Sequence, residues 1–136
     1  MRNKNLIQQS ATLALRSDER VAATYLFGSF VYGRMTPESD LDVAILFRKG
    51  AVPAAMALVE LGQQLSSTTG LDVDIVCLNT AGPIVAMQVI RKGIKIVDRD
   101  PRETMEFFVG TIERYDDLKT VRRPIERAIL NGRMYG

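Results

Sequence analysis

Histidine is absent from this chain of 136 residues. That removes a Ser-His-Asp triad, a Cys-His dyad and any histidine-bound zinc site. Acid–base and metal chemistry therefore fall to carboxylates. There is one cysteine, so no internal disulfide can form, and a cytoplasmic location is expected. No apolar run approaches the roughly 18 residues that would suggest a membrane span. The first twenty residues, MRNKNLIQQSATLALRSDER, lack the uninterrupted apolar stretch of a signal peptide, because Gln8, Gln9 and Ser10 break it. The net charge of +2 argues neither for nor against a nucleic-acid partner. Hydrophobic residues at 46% and charged residues at 25% are ordinary for a globular domain. A chain of this size buries roughly 68–70% of its unfolded surface, enough for one core.

The informative stretch is Phe27–Phe47, FGSFVYGRMTPESDLDVAILF. It reads as the end of a strand, a Gly-Ser turn, ten residues, then Asp-x-Asp opening a second strand. Asp40 and Asp42, two apart on a strand, point to one face. Their Cα atoms then lie about 6.6 Å apart. Two ionised carboxylates at that distance repel by about 2.5 kcal/mol at an effective dielectric near 20. A cation relieves the repulsion, and Mg²⁺ suits a few carboxylates together with substrate phosphates. Gly28 and Ser29 offer phosphates backbone N–H groups and a hydroxyl, with Ser29 read also as a helix cap. A phosphate cradle beside a carboxylate pair points to phosphoryl or nucleotidyl transfer.

The rest of the pattern alternates strands and helices. Leu6, Ala11, Leu13, Ala14 and Leu15 predict a first helix ending near Ser17-Asp18, and Val21–Phe27 a buried strand. Leu41–Phe47 is a second strand, with Leu41, Val43, Ile45 and Phe47 facing helices and Asp40, Asp42, Ala44 and Leu46 on the other face. Pro53–Ser67 reads as a helix with Met56, Leu58, Val59, Leu61 and Leu65 as core positions, broken by the polar stretch 66–70. Asp72–Leu78 is a third strand; Asp72 and Asp74 share a face, so the pattern alone admits either as a third carboxylate. Pro83–Lys92 is a helix stopped by Gly93, and Ile94–Asp98 a short strand. Asp100-Pro101-Arg102-Glu103 is a helix start with cap, first-position proline and a following Glu. That helix is expected to reach about Thr120, with Pro124 as a break. Met87, Met105, Phe107 and Phe108 read as core, and Cys77 as a buried thiol. No repeats or linkers divide the chain, so residues 1–136 read as one domain with a helical segment from about residue 100.

Gly28-Ser29, ten residues and Asp40-x-Asp42 resemble the signature of the DNA-polymerase-β-type nucleotidyltransferases. Val73–Ala81, VDIVCLNTA, resembles that family's third-carboxylate strand, and Arg91–Asp100, RKGIKIVDRD, its last strand. The short length is similar to the minimal nucleotidyltransferases, among them the MntA-type antitoxins paired with a HEPN-domain toxin, HepT. The resemblance covers roughly Val21 to Asp100. It implies an α/β (α+β) fold, with a mixed sheet of about four strands and helices mainly on one face. It favours Asp74 over Asp72 and implies Asp40, Asp42 and Asp74 as catalytic ligands of two Mg²⁺ ions. It implies Gly28 and Ser29 as binders of the ATP phosphates. Gly33, Arg34 and Ser39 resemble lesser parts of the same loop. The implied activity is transfer of AMP from ATP to a tyrosine of the HEPN-type RNase toxin, with no direct binding of nucleic acid. Two other readings stay open at this stage: an antitoxin that binds and occludes its toxin without catalysis, and an enzyme acting on a small molecule. The basic C-terminal stretch with Lys119, Arg122, Arg123, Arg127 and Arg133 reads as a solvated face or a docking surface.

Overall fold

The computed structural model describes residues 4–31 and 40–132, the last fourteen of these as backbone only. The expectations for Gly33, Arg34, Ser39 and Arg133, and for the side chains of the basic stretch, lie outside the described residues. The elements run α1 (Lys4–Arg16), β1 (Val21–Phe27), a 3₁₀ turn (Gly28–Phe30), β2 (Leu41–Phe47), α2 (Ala55–Thr69), β3 (Val73–Cys77), α3 (Pro83–Lys92), β4 (Ile94–Asp98) and α4 (Pro101–Gly132). The strands form one sheet in the order β3-β2-β1-β4. β1 is antiparallel to both β2 and β4, while β2 and β3 are parallel. This is a mixed four-stranded sheet, as the family resemblance implied.

The layering differs from the sequence reading in one respect: helices cover both faces. Ile7 and Leu15 of α1 and Leu61 and Leu65 of α2 pack with Leu26, Leu41, Val43, Ile45 and Phe47. Ala86 and Val89 of α3 and Phe107 of α4 pack with Ala23, Tyr25, Ala44 and Leu46 on the opposite face. Crossover connections between parallel strands are right-handed almost without exception. The β2-α2-β3 crossover steps one way along the sheet and the β3-α3-β4 crossover steps the other. The same hand therefore sends α2 and α3 to opposite faces.

Local chemistry explains most boundaries. Ile7, Ala11 and Leu15 recur every four residues and are the buried stripe of α1. In α2 the buried stripe is Leu61, Leu65 and Thr69, which leaves Met56 at 69% and Val59 at 53% exposed rather than in the core. The polar end of α2 does not break the helix. The Thr68 and Thr69 hydroxyls donate to the carbonyls of Gln64 and Leu65 at 2.9 and 2.8 Å, so they do not compete with the helix for its own bonds. Gly70 then stops it in the left-handed conformation, φ 77°, its N–H donating to the Ser66 carbonyl at 2.8 Å.

The start of α4 follows the sequence: the Glu103 N–H donates to Asp100 Oδ1 at 3.2 Å. The reciprocal half of the capping box is missing, because the Glu103 carboxylate accepts the Lys49 N–H at 3.1 Å instead. Two expectations for α4 are corrected. The helix continues through Pro124 to Gly132; proline costs one hydrogen bond but its φ is helical. Met105 and Phe108 are exposed, while Met87 is buried and Phe107 packs on the core. Cys77 lies with Val73 and Ile75 against the first core cluster. No helix among the described residues is long and apolar enough to cross a membrane.

Candidate active site

β1 and β2 run antiparallel with Phe27 opposite Asp42. The turn leaving β1 therefore rises beside the first turn of β2. Gly28 takes φ +73°, and a Cβ built on it would sit 3.1 Å from Asp42 Cγ and collide with Oδ2. Only glycine meets both the conformation and the close approach. The turn is pinned from behind by Phe30, whose side chain is fully buried in the first core cluster. Lys4 Nζ lies 5.0 Å from the centre of that ring.

Ser29 lies inside the 3₁₀ turn and is half-buried. Its reading as a helix cap is corrected. Phe27 holds the capping position, with no side-chain cap bond, and the turn closes instead through the Val31 N–H donating to the Gly28 carbonyl at 3.1 Å. Three residues of 3₁₀ turn leave no long helix end for a hydroxyl to cap.

The carboxylates converge at the same end of the sheet. β2 and β3 pair with Asp42 opposite Asp74, so these residues stand on adjacent strands about 4.8 Å apart. Asp40 precedes β2, and both Asp40 and Asp74 are exposed while Asp42 is half-buried. Burial pushes the Asp42 carboxyl above its ordinary value, and the neighbouring Asp74 and Asp40 charges push the same way. Asp72 sits just before β3; its carbonyl accepts the Leu41 N–H at 2.7 Å, and its side chain is exposed. Among the described residues no three acidic side chains close round a common point.

The chemistry of the donor set fits a hard divalent cation: oxygen ligands only, at one end of the sheet, next to a turn that presents N–H groups. One feature escaped sequence reading. A groove of about 660 Å³ opens between α2 and β3, with Asp72 and Asp74 in its wall. The signal for it in the sequence is that Val59, in its lining, falls off the 61/65/69 stripe of α2.

A glycine turn pressed against the first of two in-register aspartates, with a third beside them, on a four-stranded mixed sheet, defines a nucleotidyltransferase. The chain belongs to the family described as "Polymerase beta, Nucleotidyltransferase", whose model matches residues 9–102. It is 34% identical over 101 residues to the protein adenylyltransferase MntA of Shewanella oneidensis, covering 74% of this chain and 70% of that one. It is 30% identical over 71 residues to the MntA of Thermococcus cleftensis, covering 52% and 70% respectively. Among solved structures it resembles a toxin–antitoxin crystal structure with AMP-PNP at TM-score 0.77 and 29% identity, covering 90% of this chain and 98% of that one. It also resembles the MNT antitoxin bound to a tri-AMPylated Shewanella oneidensis HEPN toxin, at TM-score 0.74 and 27% identity, covering 94% and 99%.

Proposed function

We propose that this protein is an Mg²⁺-dependent antitoxin that transfers AMP from ATP to a tyrosine of a cognate HEPN-type RNase toxin and thereby silences it. The observation that carries the reading is the register that lines up Phe27, Asp42 and Asp74 across three strands, with Gly28 turned onto Asp42. The likeness to protein adenylyltransferases and to a complex with an AMPylated HEPN toxin supports the nature of the acceptor.

Asp40, Asp42 and Asp74 would hold the metal, with two ions expected. When bound, Mg²⁺ supplies positive charge against the triphosphate and lowers the pKa of the attacking hydroxyl. Gly28 and Ser29 bind the β- and γ-phosphates through backbone N–H groups and the Ser29 hydroxyl. Asp74, on the strand farther from the turn, stands on the acceptor side and accepts the tyrosine proton. The tyrosine oxygen attacks the α-phosphorus, the bond to the bridging oxygen of the β-phosphate breaks, and pyrophosphate leaves. In a chain without histidine, a carboxylate is the natural proton acceptor at this position. A cytoplasmic location agrees with a chain that has a single cysteine.

Incubating this protein with a cognate HEPN RNase, labelled ATP and Mg²⁺ tests the proposal. Intact-mass spectrometry should show the toxin heavier by one or more AMP units. The modified toxin should stay inactive after this protein is removed. Neutralisation at unchanged toxin mass, surviving the Asp40→Asn/Asp42→Asn double substitution, would replace catalysis with occlusion.

A further inference from the structure

Charge is unevenly spread along this chain. Residues 50–90 hold no lysine or arginine and three acids, Glu60, Asp72 and Asp74; all 18 basic residues lie outside that stretch. Its side chains carry −3 in a chain whose net charge is +2, so the remainder carries +5. The fold makes this stretch one flank of the active site. It supplies α2 and β3, and the lining of the groove between them comes from it alone.

The groove lies on the side of the site away from the phosphate turn. In the sheet order β3-β2-β1-β4 that turn follows β1, whereas Asp74 stands on β3 at the sheet edge. The last turn of α2 reaches the same end of the sheet, where the Val73 N–H donates to Ser66 Oγ at 3.1 Å. A helix C-terminus carries partial negative charge, and no basic residue in the last turn of α2 offsets it. Glu60, Gln63 and Ser67 share one stripe of α2 by their i, i+3, i+7 spacing, so Glu60 extends the Gln63–Ser67 wall by a turn. Glu60 and Asp72 are exposed, and neither has an ion-pair partner among the described residues. Both stand outside the metal set of Asp40, Asp42 and Asp74, so their charge is free for a partner.

We propose that the groove between α2 and β3 docks a lysine- or arginine-bearing segment of the toxin that lies beside the acceptor tyrosine, with Glu60 and Asp72 as its counter-charges. This deepens the adenylyl-transfer reading and rests on it. AMP on a tyrosine silences an RNase when that tyrosine stands at the RNA-binding surface. Such a surface is basic, because phosphate contacts dominate affinity for nucleic acid. The tyrosine that reaches Asp74 therefore brings positive charge with it, and the adjoining flank of this protein has none of its own to repel it. Complementary charge steers the encounter and fixes orientation. It asks no particular secondary structure of the segment, so a helix or a loop of the toxin satisfies it.

Titrating a cognate HEPN RNase into the full-length protein, with neither ATP nor Mg²⁺ present, measures docking alone. Glu60→Lys/Asp72→Asn should weaken binding about tenfold at low salt, and the difference from the parent should shrink at about 0.5 M salt. Glu19→Lys, a charge reversal before β1 at the far end of the sheet, should bind like the parent. In the transfer assay the double variant should raise KM for the toxin by a similar factor and leave KM for ATP unchanged. Changing each lysine or arginine beside the toxin's tyrosine to glutamate in turn should give at least one toxin that binds the double variant better than it binds the parent. Parent-like binding by the double variant, an equal loss in Glu19→Lys, a loss that salt does not diminish, a raised KM for ATP, or no toxin variant with reversed preference would overturn the docking site while leaving the transferase reading intact. No transfer by the parent protein to any acceptor would overturn both.

Discussion

Replacing Gly28 with alanine separates two consequences of one methyl group. The first is conformational. An L-residue held at φ +73° costs about 1–2 kcal/mol relative to glycine. For a chain of this size each kcal/mol lowers Tm by roughly 3–5 °C. The second is steric and local to the chemistry. The new Cβ meets the Asp42 carboxylate, so either the turn retreats or the carboxylate rotates away. A displacement of about 1 Å in a reacting group costs on the order of 100-fold in rate.

Gly50 is the internal control. It has φ +78°, and nothing lies within 4 Å of a Cβ built there. Gly50→Ala should match Gly28→Ala in lost Tm yet keep AMP transfer within about twofold of the parent, since no reacting group moves. Thermal denaturation paired with an AMP-transfer assay on the toxin reads both quantities. A Gly28→Ala protein that transfers AMP at the parent rate would refute the argument. So would a Gly50→Ala protein that loses activity as severely.

Asp74→Ala should abolish transfer without unfolding the protein, whereas Asp72→Ala, outside the strand and two residues from the partner of Asp42, should keep much of it; toxin mass spectra decide, and the reverse result would mean that the pairing does not select the working carboxylate. Ser29→Ala should leave the Tm of the free protein unchanged, because no cap bond is lost, but should reduce the Tm gained from MgATP; an equal gain in both proteins would remove Ser29 from the phosphate site. The native state binds the Asp42 proton more tightly than the unfolded chain does, because burial and the Asp74 and Asp40 charges raise its carboxyl value. Its contribution is therefore most favourable in acid and declines as pH rises from the ordinary carboxylate range through the raised value. In metal-free buffer Asp42→Asn should accordingly melt above the parent at neutral pH and converge with it in acid, while being inactive with Mg²⁺; identical Tm values at every pH would contradict the charge-repulsion account.

The strands Val21–Phe27, Leu41–Phe47 and Ile94–Asp98 and the helix Pro83–Lys92 were legible in the residues alone. Buried strands are short apolar runs bounded by turns, and α3 carries a proline at its start and a glycine at its stop. Gly93 works by a different route than a left-handed stop, however. Its φ is −77°, and the space for a Cβ is filled by the Val89 carbonyl. Helix ends were less legible where polar side chains bond back to their own helix, as at Thr68 and Thr69, or where proline only removes a bond, as at Pro124. Ser29 misled as a cap because a serine after glycine looks the same before a 3₁₀ turn as before a long helix.

The sequence by itself determined the chemistry on offer. Without histidine, and with Asp40, Asp42 and a further carboxylate strand behind a Gly-Ser turn, the choice of acid–base and metal-binding groups was narrow, because side-chain types and period-two spacing are local properties. Tertiary structure decided everything that depends on who stands next to whom. Strand register set Asp42 opposite both Phe27 and Asp74, while Asp72 lies just before β3. The opposite directions of two right-handed crossovers put helices on both faces. The position of β3 at the sheet edge opened the groove beside Asp74. Those outcomes come from long-range pairing and packing, which residue spacing along one chain does not encode.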